Sequence, residues 1–174
     1  MAQGEERLHM KGIESMSLAF RRVLIAAMIA FVAGCSSGPT KYPVVIAPHP
    51  SIEGSILVDV IGATKSDLSD WESYPVTKYF QADNPKRRDA DKVTFKIVPG
   101  QTQRLETTDE IWARWDRAGV SHLVIMADLP NVAEDAPRRK ILSLYPDDWV
   151  GAKQLDVEIQ QSGIRVLTRQ RAQR

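Results

Sequence analysis

The chain has one cysteine and three histidines in 174 residues, and no apolar run long enough to cross a bilayer. Each scarcity removes a class of protein. A lone cysteine allows no disulfide within the chain and no cysteine-built metal cage. The longest apolar run, residues 23–32, is little more than half of the roughly 18 residues that a spanning helix needs. No G-x-S-x-G, H-E-x-x-H or phosphate-cradling glycine loop occurs, and Ser, His and Asp fall at no spacing that marks a triad. An excess of charge of either sign is missing as well. With 23 Lys/Arg against 22 Asp/Glu, the chain offers no field to a nucleic acid.

What is present begins with residues 21–35, RRVLIAAMIAFVAGC. A cationic pair, Arg21 and Arg22, precedes the apolar run, and the small residues Ala33 and Gly34 then lead to Cys35. This order resembles a bacterial lipoprotein signal with Val32-Ala33-Gly34-Cys35 as its lipobox, although Val32 stands where Leu is commoner. Small residues fit a peptidase cleft, which places cleavage between Gly34 and Cys35. The thiol of Cys35 is the one side chain here able to form a thioether to diacylglycerol. The competing reading is an ordinary secretory signal with a coincidental cysteine at its boundary.

Glu5, Glu6 and Glu14 do not suit a cationic leader, so Met16 is the expected start. The Arg pair matches the twin-arginine pattern poorly and is read as positive charge held on the cytoplasmic side. Four Lys/Arg and three Asp/Glu fall before Cys35, leaving 19 of each sign in a formally neutral mature chain. Acylation with two or more chains, palmitate among them, holds a protein firmly where one chain would not. Ser36, in place of the Asp that favours inner-membrane retention, points to the outer membrane and its periplasmic face.

Residues 35–53 hold Ser36, Ser37, Gly38 and four prolines, and are expected to form a lipidated, extended tether with a reach of roughly 55 to 60 Å. Residues 54–170 carry the domain. Short apolar runs there alternate with period two, which predicts a mainly β, two-sheet antiparallel sandwich of about eight strands.

Strands are expected at residues 55–61, 76–81, 92–98, 102–106, 121–127, 140–145, 155–160 and 164–168. The pair around Pro99-Gly100 reads as a hairpin through a type II turn. One inserted helix is expected after Thr107, with Ile111, Trp112, Trp115 and Ala118 on one stripe and Gly119 at its end. Ser69 and Glu72 have the spacing of a capping box for a short helical turn.

No cofactor, metal or catalytic residue is expected. His49 and His122 alone make a poor metal site. Asp128, Asp147-Asp148 and Glu134-Asp135 could converge as an acid–base pair or calcium ligands, but loop carboxylates are usually solvated. Lys86-Arg87-Arg88 is balanced by Asp83, Asp89 and Asp91 and reads as a solvated loop, whereas Arg138-Arg139-Lys140 is less balanced and could meet phosphate or an acidic partner. Leu68, Trp71 and Tyr74 stand in a polar segment with no alternation to explain them. Aromatics of that kind anchor interfaces, or plug the open end of a sandwich.

In order, the lipobox, the first strand, the aromatic excursion, KVTFKIVPGQTQRL, SHLVIMADL and RKILSLYPDDW resemble the outer-membrane lipoprotein of type VI secretion systems, the TssJ or SciN family. The closest pieces are residues 93–105 and 122–129. The resemblance implies a transthyretin-like sandwich with an added helical element. It also implies that the loop between the first two strands holds the periplasmic domain of an inner-membrane secretion protein. Residues 62–75 would then be the contact segment, with Leu68, Trp71 and Tyr74 as its anchors. Where the family carries a Val-Tyr-Gln-Leu type of sequence near its first strand, this chain has LVDVIGA. Two other functions compete: a lipoprotein that binds peptidoglycan or another glycan through exposed aromatics, and an enzyme built on the Asp128 and Asp147-Asp148 carboxylates.

Overall fold

The structure is a computed structural model and describes residues 38–171. Cys35, the lipobox and the leader expected before it lie outside the described residues. Among the described residues the chain forms eight strands in two four-stranded sheets. The strands are β1 (Val44–Pro48), β2 (Ile56–Ala63), β3 (Lys92–Ile97), β4 (Gln103–Leu105), β5 (His122–Ala127), β6 (Arg139–Ser143), β7 (Leu155–Gln160) and β8 (Gly163–Val166). One sheet has the order β4-β1-β7-β8 and the other β3-β2-β5-β6, so the mainly β sandwich expected from the alternation is the fold observed.

Alternate residues of both sheets meet in one core. Val44 and Ile46 of β1 with Leu155, Val157 and Ile159 of β7 face Val58 and Val60 of β2 with Leu123, Ile125 and Ala127 of β5, all within one buried cluster. β5 is buried on both faces, as its unbroken apolar sequence requires. Pairing is antiparallel throughout except for β1 and β7, which run parallel with Val44 opposite Leu155 and Pro48 opposite Ile159.

Five expectations are corrected. Residues 40–48 are not part of an extended tether, because β1 is a central strand and Thr40 is already fixed by its N–H to the Leu144 carbonyl at 2.8 Å. Tyr42, Val44 and Ile46 alternate inward and override the prolines around them. Pro43 stands just before β1 and Pro48 is its last residue, where a missing N–H costs the ladder little.

The strand expected at residues 76–81 is instead the short helix α2 (Val76–Tyr79). Pro75 stands just before it, where a fixed φ suits a helix start, and Val76 and Tyr79 at i, i+3 are its buried pair. The hairpin expected at Pro99-Gly100 is a corner. The turn forms, with Gly100 at φ 73° and Gln101 N–H bonded to Val98 O at 3.1 Å, but β3 and β4 then part into different sheets. The inserted helix expected after Thr107 is α4 (Glu110–Ala118) and the short helical turn expected near Ser69 and Glu72 is α1 (Leu68–Ser73), but three further short helices join them: α2, α3 (Pro85–Asp89) and α5 (Asp135–Arg138). The capping box at Ser69 and Glu72 is not used. The Asp67 carboxylate accepts instead from the Thr64 N–H and hydroxyl, one turn earlier.

α4 closes one end of the sandwich. Trp112 and Trp115 are buried and meet edge to face at 5.0 Å, while Ala118 is exposed and Gly119 ends the helix in the left-handed conformation. Trp115 lies against Gly62, where a Cβ would come within 2.5 Å of its indole nitrogen.

Candidate partner-docking segment

Between β2 and β3 the chain makes an excursion, residues 64–91, that lies on the outer face of the β3-β2-β5-β6 sheet. The outward side chains of β2 and β5 are apolar there: Ile61, Ala63, Val124 and Met126. Such a face must be covered, and Trp71 and Tyr79 bury against it with Leu68, Tyr74 and Phe80 packed around them. Trp71 meets Tyr79 edge-on at 6.0 Å, and Tyr79 meets Phe80 at 5.1 Å. Trp71 is 8% exposed, and Leu68 and Tyr74 are half-buried. Of the three sequence-predicted anchors, none stands free in solvent. Trp71 fixes the shape of the segment, and a flat stacking platform of exposed aromatics, as a glycan binder would use, is not offered by these rings.

The basic run read as a solvated loop is the clamp. Asn84 caps α3 by accepting the Arg87 N–H at 2.9 Å, and its amide donates to the Tyr74 hydroxyl and the Lys78 carbonyl. This turns Lys86 and Arg87 inward. Lys86 pairs with Asp70 and lies 4.2 Å from the Trp71 ring centre and 4.6 Å from that of Tyr74. Arg87 donates from Nε to Asp59 Oδ2 at 2.9 Å and covers the Phe80 ring at 4.9 Å.

Asp59 is fully buried on β2. Its carboxylate also accepts from Tyr79 Oη at 3.0 Å and Thr94 Oγ1 at 2.7 Å. Burial, and then the neighbouring carboxylate, push the Tyr79 phenol well above its ordinary range, so it remains a donor. The hydrogen bond to Asp59 holds the Arg87 guanidinium above its usual value. This network was not anticipated, although a signal was there. A single carboxylate in ILVDVIGA shares its face with Leu57 and Ile61, and a charge so placed requires a cation.

The second basic run is internal too. Arg138 is buried and donates to Thr77 Oγ1 at 2.8 Å and to Asp128 at 3.4 Å. Arg139 caps the end of α1 by donating to the Tyr74 and Glu72 carbonyls. Asp135 accepts the Val76 N–H at 3.0 Å. The chain from Glu72 to Thr77 is thus held from below by the start of β6, and phosphate has no free guanidinium to meet at Arg138 or Arg139.

Between residues 64 and 75 the exposed side chains are Lys65, Ser66, Asp67, Ser69, Asp70, Glu72, Ser73 and Pro75, three carboxylates against one cation. The carboxylates considered for catalysis do not converge. Asp128 follows the end of β5 while Asp147 and Asp148 follow the end of its antiparallel neighbour β6, which puts them at opposite ends of the sandwich. His122 has Ser121 Oγ within 2.9 Å of Nδ1, and burial lowers its pKa. Among the described residues there is no cluster of three or more metal-ligating side chains, and no helix is long and apolar enough to cross a membrane.

The fold is shared with solved components of one secretion machine. A chain in a structure described as the C-terminal domain of the type VI secretion protein TssM from EAEC is 13% identical over 73% of this chain and 100% of its own length, with a TM-score of 0.53. A chain of a type VI membrane complex is 14% identical over 72% and 96%, with a TM-score of 0.52. Lip of Serratia marcescens, a membrane-bound component of the type VI secretion system, is 15% identical over 75% and 98%, with a TM-score of 0.50. The chain is TssJ-like in its fold. No family model and no curated protein sequence matches it.

Proposed function

We propose that this protein is a lipid-anchored, non-enzymatic scaffold that ties a type VI secretion complex to the periplasmic face of the outer membrane. A TssJ-like sandwich that begins only a few residues after a lipobox cysteine carries the reading. Acyl chains on Cys35 hold the bilayer, and the body binds the periplasmic domain of an inner-membrane secretion protein.

The docking element is residues 62–75. Leu68 and Tyr74 line its half-buried rim, Trp71 props it from within, and Asp67, Asp70 and Glu72 form its outward ridge. An acidic ridge on a braced helix suits a basic partner surface, because the ordering cost has been met before binding.

Capture of the tagged full-length protein from detergent-solubilised cell membranes tests this. The wild type should recover an inner-membrane secretion protein, and the Asp67→Lys/Glu72→Lys variant should lose it. Recovery of wall material in place of that protein would contradict the scaffold and favour a glycan-binding lipoprotein.

A further inference from the structure

We propose that the end of the sandwich next to the lipid attachment is a second membrane contact, which lays Val150 and Leu167 into the headgroup zone of the bilayer with Lys153, Arg169 and Arg171 against lipid phosphates. The inference rests on acylation of Cys35, the anchor proposed above.

Chain length comes first. Thr40 is fixed to Leu144, and it lies only five residues beyond Cys35, a span of roughly 17 Å at full extension. A body on so short a leash keeps that end at the membrane surface. Contact there is effectively intramolecular, so weak interfacial affinity suffices to keep it occupied.

The surface at that end has the matching chemistry. Trp149 Nε1 donates to Ser143 O at 2.9 Å, beside the Leu144 carbonyl that holds Thr40. Trp149 is buried, so its neighbour Val150 faces outward, 48% exposed and opposite Arg169, whose carbonyl accepts the Val150 N–H. Leu167, 49% exposed, precedes Arg169 by two residues and bonds Asp156, which pairs with Val45 of β1. Leu167 is therefore about two strand spacings, roughly 10 Å, from the start of β1.

Leu57, Val150 and Leu167 are the exposed large hydrophobic residues among the described ones, and two of the three fall on this lip. Lys153, Arg169 and Arg171 are exposed, and their side chains form no ion pair among the described residues. Apolar tips flanked by free cations are the composition of an interfacial contact. Asp147 and Asp148 on the preceding turn limit the positive excess, which leaves the apolar pair as the main determinant.

The test places an environment-sensitive fluorophore at position 150, 167 or 53, through Val150→Cys, Leu167→Cys or Glu53→Cys in the full-length protein. Glu53 lies beyond the far end of β1, roughly 13 Å further along the sandwich. Each protein is reconstituted in phosphatidylethanolamine–phosphatidylglycerol vesicles that carry a headgroup quencher. Quenching at 150 and 167 should exceed that at 53 by at least about twofold, as for residues seated in the interface.

Equal quenching at all three positions in protein that floats with the vesicles overturns this inference and leaves the anchor standing. Failure to float overturns both. Labels at 150 and 167 that are shielded without vesicles would show a second copy on the lip and also overturn it.

Discussion

The Arg87 guanidinium reaches the buried carboxylate of Asp59 across 28 residues, Nε to Oδ2 at 2.9 Å, and joins the excursion to the strand beneath it. Arg87→Ala would leave a charge buried without its partner and should cost about 3–5 kcal/mol. Joint replacement of the cluster by apolar residues, Asp59→Leu and Arg87→Met with Tyr79→Phe and Thr94→Val so that neither hydroxyl loses its acceptor, should recover most of that loss. Chemical denaturation of the two variants separates a bond that specifies geometry from one that supplies net stability.

Gly62 and Trp115 give a second, independent prediction. Gly62→Ala puts a methyl within 2.5 to 2.8 Å of three indole atoms of Trp115, a residue 1% exposed and already packed on Trp112. Overpacking of this kind costs about 1–3 kcal/mol. A thermal scan should show the loss, and Trp115→Phe in the same chain should relieve part of it.

Trp71 and Glu72 are neighbours in α1 with opposite exposure, and substitution should separate shape from contact. Trp71→Ala removes a buried indole and should cost about 3–5 kcal/mol, concentrated in the excursion. Hydrogen exchange would locate that loss. Glu72→Lys changes an exposed side chain and should alter stability by no more than about 0.5 kcal/mol while weakening partner capture.

Burial lowers the His122 pKa below its ordinary 6.5, so the unfolded chain binds the proton more readily. The stability tied to neutral His122 is present above that value and declines as the pH falls through it towards the folded pKa. Melting temperatures compared between about pH 7 and about pH 5 should fall less in His122→Gln than in the wild type. An identical fall in both would remove this role.

Much of the sandwich was legible because its strands obey one rule. Val93, Phe95 and Ile97, or Leu155, Val157 and Ile159, alternate inward, and the same pattern in Tyr42, Val44 and Ile46 is masked by prolines that the structure tolerates just before β1 and at its last residue. The excursion was less legible because its short helices are held by partners far along the chain. Arg139 caps α1 from residue 139, and Asp135 receives the first N–H of α2. Local sequence carries the charges of Lys86 and Arg87 but not the direction in which they turn, which the Asn84 cap sets. Trp71 stands out in the sequence as an aromatic without a strand to explain it. The apolar outer face that buries it becomes visible only when β2 and β5 are paired.

Anchoring, and the scaffold role built on it, depend above all on the chemistry at Cys35, and intact-mass analysis of the protein purified from cell membranes tests that chemistry most directly. The predicted result is a chain that begins at Cys35 and carries the mass of diacylglycerol and an amide-linked fatty acid, with Cys35→Ser lacking that mass and released from the membrane fraction. A chain that retains residues before Cys35, or begins there with a free thiol, would contradict the anchor and the scaffold built on it.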